Sequence, residues 1–415
     1  MEKQHLHYDV VIIGGGPAGL TAGIYAGRAR LKAVLFERAL LGGLATYTNE
    51  IVNYPGFPEG TTGLELMHLF EAQARHFGLE IKNTPVKAVN LTGDDKTIET
   101  FRTVYHARSV IIATGGKPRL LGVPGESDYL YDKGISFCAT CDAAQCVGKT
   151  VVVIGSGDAA VEEALFLTKF ADKVIMSVLH EEGHMDANAV AQEEALANPK
   201  MEFHWNTVVD HFEGSARLER VVLRNTKKNE LEVIDADRCF YFIGYLPATE
   251  MFKGQINLTD RGYIPTDPHM RTNVDGVFAA GDVRQTCLRQ VATAVGDGAT
   301  AGYEVERYVA EMHIFEKQLM QKEKPGLVFV YSAIDEASRD LLPMVQEIEQ
   351  HYDGRVKLSL VDTYKSVCLS ARLGAAQPPS FVFTKDGQVV TRSIQTDRAS
   401  IMRVLDGLVA EPVTA

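Results

Sequence analysis

Two cysteines three positions apart, in Phe137-Cys138-Ala139-Thr140-Cys141-Asp142, carry the most specific chemistry in the chain. Only a thiolate attacks a disulfide, so a C-x-x-C pair with an acid directly beside it suits thiol–disulfide exchange. The competing readings are an inert packed pair and half of a zinc site. Zinc needs further ligands, and the only nearby one is Cys146; no second C-x-x-C or histidine pair at ligand spacing follows. Six cysteines in 415 residues do not make a disulfide framework either, so redox chemistry without metal is the expectation. Two glycine turns are the second signal: Gly14-x-Gly16-x-x-Gly19 and Gly155-x-Gly157-x-x-Ala160. In such a turn one glycine makes the bend, one lets backbone approach a pyrophosphate, and one packs helix on strand. Glu37, eighteen residues after Gly19, stands where an acid accepts hydrogen bonds from a ribose.

The elements that must position these groups read as two βαβ units. The first runs from a strand Asp9–Ile13 through the glycine turn and a helix to about Arg28, then a strand Ala33–Glu37. The second repeats it: Val151-Val152-Val153-Ile154, the turn with Asp158, Ala159 and Ala160, a helix through about Phe170, and a strand Val174–Val178. Ile111-Ile112-Ala113-Thr114-Gly115 and Val277-Phe278-Ala279-Ala280-Gly281-Asp282 look like strand ends facing the first nucleotide, on either side of the second unit. One domain is therefore expected inside the other: 1–117 with 246–312, interrupted by 118–245. After a charged stretch at 313–324, a new pattern fills 325–415. It reads as a strand Leu327–Tyr331, an amphipathic helix Asp335–His351, a strand Val356–Val361, and a short helix to Leu373. Pro378-Pro379, a hairpin turning at Asp386-Gly387 and a closing helix from about Asp397 complete it. That order resembles thioredoxin, and the fold class expected is α/β throughout: two Rossmann-like domains and a thioredoxin-like one.

Composition sets the bounds. At 46% hydrophobic and 23% charged, with no apolar run of membrane-spanning length, the chain is expected to be soluble, with no membrane partner. Only four apolar residues precede the first glycines, so the start does not read as a signal peptide, and a cytoplasmic setting is expected. A net charge of −12 argues against nucleic acid, whose affinity comes mainly from cations neutralising phosphates.

A family resemblance joins these signals. Gly42-Gly43, Asn53-Tyr54-Pro55-Gly56-Phe57-Pro58, Cys138-Ala139-Thr140-Cys141-Asp142, Val161-Glu162-Glu163-Ala164-Leu165 and the segment Arg289 to Gly298 together resemble bacterial, low-molecular-weight thioredoxin reductase over residues 8 to about 312. Ala280-Gly281-Asp282 with Arg289-Gln290-Val291-Ala292 is similar to the FAD motif of such flavoenzymes, in which the Asp holds the ribityl chain. The resemblance implies that FAD lies against Gly14, Gly16, Pro17, Ala18, Gly19, Glu37, Arg38, Gly42, Gly43, Asn53, Val86, Ala113, Thr114, Gly115, Gly281, Asp282 and Arg289 to Ala292. An exchangeable NADH or NADPH would lie against Gly155, Gly157, Asp158, Ala159, Ala160, His180, Glu181 and Gly244. It also implies that reduced FAD passes two electrons to the disulfide, that Cys141 is the flavin-facing sulfur, that Cys138 attacks the partner disulfide, and that Asp142 handles the thiol proton. A rotating nucleotide domain and a homodimer belong to the same expectation, as does thioredoxin, a thioredoxin-like protein or a small disulfide as acceptor.

Three departures from the family's pattern matter. Ala143, Ala144, Gln145 and Cys146 follow Asp142 where the family has Gly and then aromatics; Cys146 reads as a packing residue or a third redox sulfur. The cations that bind a 2′-phosphate are missing: their places hold Val178-Leu179-His180 and His184, with Glu181 and Glu182 alongside. Carboxylates repel that phosphate, so NADH is the expected donor, with Glu181 or Glu182 as ribose readers or simply a solvated turn. The thioredoxin-like tail has Tyr331-Ser332-Ala333-Ile334-Asp335 where thioredoxin has its dithiol; Pro379 matches the cis-proline position, and Cys368 reads as core. Three functions stay in competition: a disulfide reductase fed by a nicotinamide nucleotide, a relative fed by ferredoxin or serving a peroxidase as alkyl hydroperoxide reductase flavoproteins do, and a tail that acts only as a docking or dimer module.

Overall fold

Val10, Val11, Ile12 and Ile13 are all buried, as a strand covered on both faces must be. The computed structural model describes residues 3–47, 51, 53–130 and 133–410; Met1, Glu2 and 411–415, which end the first and last expected domains, lie outside the described residues. The described chain forms two compact units, Met1–Tyr303 and Glu304–Ala415.

In the first unit, strand Gln4–Ile13 pairs in parallel with Ala33–Glu37 on one side and Thr103–Ile112 on the other. Glu80–Asn83 extends the sheet beyond Ala33–Glu37, and Val277–Ala279 pairs in parallel with the far half of Thr103–Ile112. Lys96–Glu99 and Ala88–Asn90 complete it as antiparallel strands. The central strand starts earlier than its apolar run announces, because Gln4 to Tyr8 pair with Thr103 to Ala107 while exposing His5 and His7. The order of neighbours reverses at Gln4–Ile13, so the crevice beyond its carboxyl end is where a dinucleotide fits.

The second sheet is wholly parallel, in the order Met201–Trp205, Lys173–Val178, Thr150–Ile154, Arg238–Tyr241, Ile135–Ser136. Its strands alternate as a two-faced sheet requires. Val151 and Val153 pack with Ala160, Val161 and Ala164 of helix Asp158–Leu167, while Val152 and Ile154 face Val209, Phe212 and Val221 of the antiparallel sheet Thr207–Gly214, Leu218–Asn225, Leu231–Asp235. Gly116–Pro118 and Tyr245–Pro247 pair antiparallel where the chain enters and leaves this sheet. The approach is close: a β-carbon at Gly116 would lie 2.6 Å from the Leu246 carbonyl oxygen.

Helix Val291–Ile314 continues as a π turn, Phe315–Leu319, so most of the stretch expected as a linker is helical. The second unit is a four-stranded sheet in the order Lys357–Asp362, Gly326–Tyr331, Ser380–Lys385, Gln388–Ser393, parallel in its first pair and antiparallel in the others. The expected helix 335–351 is two helices, Glu336–Asp340 and Leu342–Tyr352. Pro343 explains the break, since it brings no N–H to a continuing ladder. The Pro378–Pro379 bond is cis, and the Asp386-Gly387 turn has positive φ at both residues, +54° and +78°, as a two-residue hairpin demands. Phe381 stacks on Phe329 at 4.9 Å between centroids, both fully buried. Truncating Phe381 to Ala is expected to destabilise this unit by about 3–5 kcal/mol, read as a lower midpoint in denaturant.

Candidate functional site

Cys138 and Cys141 form a disulfide just past the carboxyl end of strand Ile135–Ser136. Cys138 caps helix Ala139–Asp142, with its own N–H donating to Ser136 Oγ at 3.2 Å, and the helix runs on as a 3₁₀ turn, Ala143–Cys146. Ala139, Ala143 and Cys146, spaced as one helix face, are buried against Ala160, Val161 and Ala164. Both sulfur-bearing residues remain partly exposed on the outer side. Small packing residues thus follow Asp142, and Cys146 belongs to that packing. Burial pushes its thiol up to about 11, with the nearby Arg238 charge pulling only partly the other way.

Arg238 is the residue of this region that sequence reasoning missed. Its side chain is 3% exposed, its guanidinium donates to Gln145 Oε1, and Nη1 stands 4.0 Å from Asp142 Oδ2. The signal was a single cation opening an otherwise apolar strand, Arg238-Cys239-Phe240-Tyr241.

At the first glycine turn, Gly15 N–H donates to Glu37 Oε2 at 2.8 Å, and Arg38 and Ala39 N–H donate to Oε1. Gly42 N–H donates to the Gly15 carbonyl at 2.8 Å, which brings the Gly42-Gly43 turn over Gly16. A β-carbon at Gly16 would meet nothing nearer than the Gly42 oxygen at 3.9 Å, so this face is open to a pyrophosphate. The turn opens helix Pro17–Arg28, in which Ala18 and Gly19 are buried. Ala113, Thr114 and Gly115 follow strand Thr103–Ile112, and Thr114 Oγ1 donates to the Ala248 carbonyl. Gly281, φ +77°, opens the turn that holds Asp282. Asp297 fixes that turn: it accepts from Gly281 N–H at 3.0 Å and takes Arg284 through both oxygens.

Burial raises Asp282 to about 6, with Arg289 opposing and Asp297 adding to the shift. The Arg289 guanidinium lies over the Tyr263 ring at 4.5 Å, and its Nε is buried with no hydrogen-bond partner among the described residues. A half-buried acid and an orphaned guanidinium nitrogen are what a polar ligand would satisfy. Asn53 Nδ2 donates to Gln290 Oε1 at 3.3 Å, joining groups far apart in sequence, and Val291 and Ala292 begin helix Val291–Ile314. Val86 lies half-buried against the core of the same sheet. All the residues expected at FAD thus belong to the first sheet, its carboxyl edge or the segments packed on it.

The second turn leaves Gly157 with open space where a β-carbon would be, and helix Asp158–Leu167 starts there with no side chain capping it. Ala159 is exposed on its first turn and Ala160 buried. Asp158 accepts from Asn188 N–H and Nδ2 at 2.6 and 3.0 Å, which ties the 183–188 loop to this helix. Gly244, φ +110°, accepts at its carbonyl from Arg119 N–H. Of the polar residues expected at the ribose, Glu181 is turned to Lys227 in an exposed ion pair, whereas His180 Nε2 meets Asp186 Oδ2 at 2.8 Å. Asp186 was not singled out from sequence.

No helix among the described residues is long and apolar enough to cross a membrane. The family profile for pyridine nucleotide-disulphide oxidoreductases matches residues 8–298. A thioredoxin reductase of Peptoclostridium acidaminophilum is 45% identical over 308 residues, covering 73% of this chain and 97% of that protein. One from Streptomyces coelicolor is 43% identical over 317 residues, covering 76% and 98%. The crystal structure of thioredoxin reductase from Streptococcus pyogenes superposes with a TM-score of 0.67 at 40% identity, covering 73% of this chain and 98% of that one.

The cysteines make this geometry testable by alkylation and mass spectrometry. At pH 8, without reductant, Cys287, which is exposed, is expected to label first, and buried Cys146 and Cys239 only on unfolding. Rapid labelling of Cys146 at pH 7 would contradict its packing role.

Proposed function

The chain belongs to the pyridine nucleotide-disulphide oxidoreductase family, and within it to the thioredoxin reductases; from that premise we propose that it takes electrons from NADH in preference to NADPH and delivers them to thioredoxin, a thioredoxin-like protein or another disulfide. The observation that carries the reading is the Cys138–Cys141 disulfide at the carboxyl edge of the sheet that also carries the second glycine turn.

The first sheet's edge fits FAD: Gly16 leaves room for pyrophosphate, Glu37 offers a carboxylate at the ribose position, and Asp282 and Arg289 bring a half-buried pair of opposite charge to one place. FAD, when bound, supplies two-electron transfer between a nicotinamide and a disulfide. The chain's own residues do the rest. Cys138 and Cys141, on receiving two electrons and two protons, part as a dithiol. The Cys138 thiolate then attacks a sulfur of the partner disulfide and forms a mixed disulfide; the Cys141 thiolate attacks Cys138, restoring the internal bond and releasing the partner as a dithiol. Asp142, adjoining Cys141, is the acid that gives and takes the thiol proton, and Arg238 Nη1 stands 4.0 Å from its carboxylate.

NADH is favoured because the loop after Lys173–Val178 offers Leu179 and His180 where a 2′-phosphate needs cations, and Lys227 is already taken by Glu181. Pairing of Gly116–Pro118 with Tyr245–Pro247 supports reading 118–245 as a nucleotide domain inserted in an FAD domain of 1–117 and 246–312. The strand order of the last unit supports a thioredoxin-like domain at 325–415, with Ser332–Asp335 in place of a dithiol. A cytoplasmic homodimer is the setting that family resemblance implies.

Anaerobic titration of the flavoprotein with each nucleotide tests the donor. NADH is expected to bleach the flavin at a concentration at least about tenfold lower than NADPH; the reverse order overturns the preference, and no bleaching by either points to a ferredoxin-type donor. Cys138→Ser and Cys141→Ser are each expected to cut NADH-driven thioredoxin reduction by at least about a hundredfold.

A further inference from the structure

The second glycine turn repeats one detail of the first with a different residue. In Gly14-Gly15-Gly16 the middle residue donates to the carboxylate that ends the next strand, Gly15 N–H to Glu37 Oε2 at 2.8 Å. The corresponding strand of the second sheet, Lys173–Val178, ends on buried Val178, which has no carboxylate. An acid nonetheless stands at the middle residue of Gly155-Ser156-Gly157. Ser156 Oγ donates to Asp186 Oδ2 at 3.2 Å, and Asp186 N–H donates to the Ser156 carbonyl at 2.9 Å.

His180, two residues past the strand, closes the other side through its 2.8 Å contact with the same Oδ2. The carboxylate is thus tied both to the glycine turn and to the loop after the second strand. Those are the two elements between which the adenosine ribose lies in a dinucleotide fold. The loop that brings it there is fixed as well: Asn188 is bonded to Asp158, and Gln192 Nε2 donates to the Met185 and Ala187 carbonyls on either side of Asp186. Glu181, the acid nearest the strand in sequence, is committed to Lys227.

We propose that Asp186 is the residue that reads the adenosine ribose of the nicotinamide nucleotide, doing from the 183–188 loop what Glu37 does from a strand end, and that it sets the preference for a nucleotide bearing a 2′-hydroxyl. The inference rests on the NADH reading above. Both side-chain bonds fall on Oδ2, which leaves Oδ1 to accept from a ribose hydroxyl. A 2′-phosphate would instead set two negative groups against each other. The His180 hydrogen bond holds Asp186 below its ordinary range, so it accepts as a carboxylate at neutral pH.

The test is the pair of kcat/KM values for NADH and NADPH, measured on the full-length flavoprotein by anaerobic flavin reduction. Asp186→Asn is expected to lower the NADH value at least about tenfold, through KM, without lowering the NADPH value; the NADH-to-NADPH ratio therefore falls by the same factor, and Asp186→Glu restores part of it. A merely structural role would cost both nucleotides equally, and that result overturns the inference. So does a ratio that moves with Glu181→Gln and not with Asp186→Asn. Should Asp186→Asn not accumulate as a flavoprotein, Ser156→Ala removes only the hydroxyl that holds the carboxylate, and a ratio lowered about threefold is the expected result; an unmoved ratio overturns the proposal. The wild-type ratio separately tests the donor reading. A wild type that prefers NADPH, with Asp186→Asn raising that preference further, overturns the NADH preference and keeps Asp186 at the ribose; a wild type reduced by neither nucleotide overturns both.

Discussion

A β-carbon at Gly19 would lie 1.9 Å from the Gly14 carbonyl oxygen, and one at Gly14 would lie 2.2 Å from that of Ala113. Helix Pro17–Arg28 therefore sits on the turn, and the turn on the next strand, by backbone contact alone. Everything at the carboxyl edge of the first sheet hangs on this approach: the open face of Gly16, the Glu37 carboxylate against Gly15, and Gly281 against Ala18, where a β-carbon would come within 2.9 Å of another. The second turn keeps the contact at Gly155, whose β-carbon would be 2.7 Å from the Phe242 oxygen, but has Ala160 in place of the third glycine. The same constraint is met twice, once with the least side-chain volume and once with a methyl group to spare.

Because these contacts need particular residue types at fixed spacings, most of the frame was legible in the sequence. The strand Ala33–Glu37 and the helix Pro17–Arg28 fall where the apolar run and the glycines put them. What escaped was set by pairing. The polar start of strand Gln4–Ile13 carries no apolar signal and is a strand only because Thr103 to Ala107 lie beside it. Helix 336–352 is split by Pro343, whose missing N–H outweighs an amphipathic pattern that continues across it. At the site, counting forward from the second turn leads to His180 and Glu181, the residues nearest the strand end. The loop then folds back, clamped by Asn188 on Asp158, and brings Asp186 to the turn beside His180.

The C-x-x-C segment shows a related trade. Ala143 and Cys146 supply the volume that lets a short helix lie on Ala160 and Ala164, so the motif is anchored by small residues. The polar work falls to Arg238 from the neighbouring strand, buried, bonded to Gln145 and facing Asp142. A buried guanidinium is costly unless its donors are met. Gln145 meets one of them. The departure after Asp142 and the cation before Cys239 are thus two halves of one local solution.

The same economy bears on what the last unit brings to disulfide exchange. In the last unit, the turn between strand Gly326–Tyr331 and helix Glu336–Asp340 is shaped by carboxylates: buried Asp362 accepts from Ala333 and Tyr364 N–H, and Asp335 caps the helix by accepting from Ser338 N–H. A dithiol at this turn would have to bring two sulfurs together, and the positions hold Ser332, Ala333 and Ile334. The unit's one cysteine, Cys368, sits within the first turn of helix Val367–Arg372. Dithiol–disulfide exchange needs two sulfurs brought together, so one cysteine does not by itself give this unit a dithiol of its own.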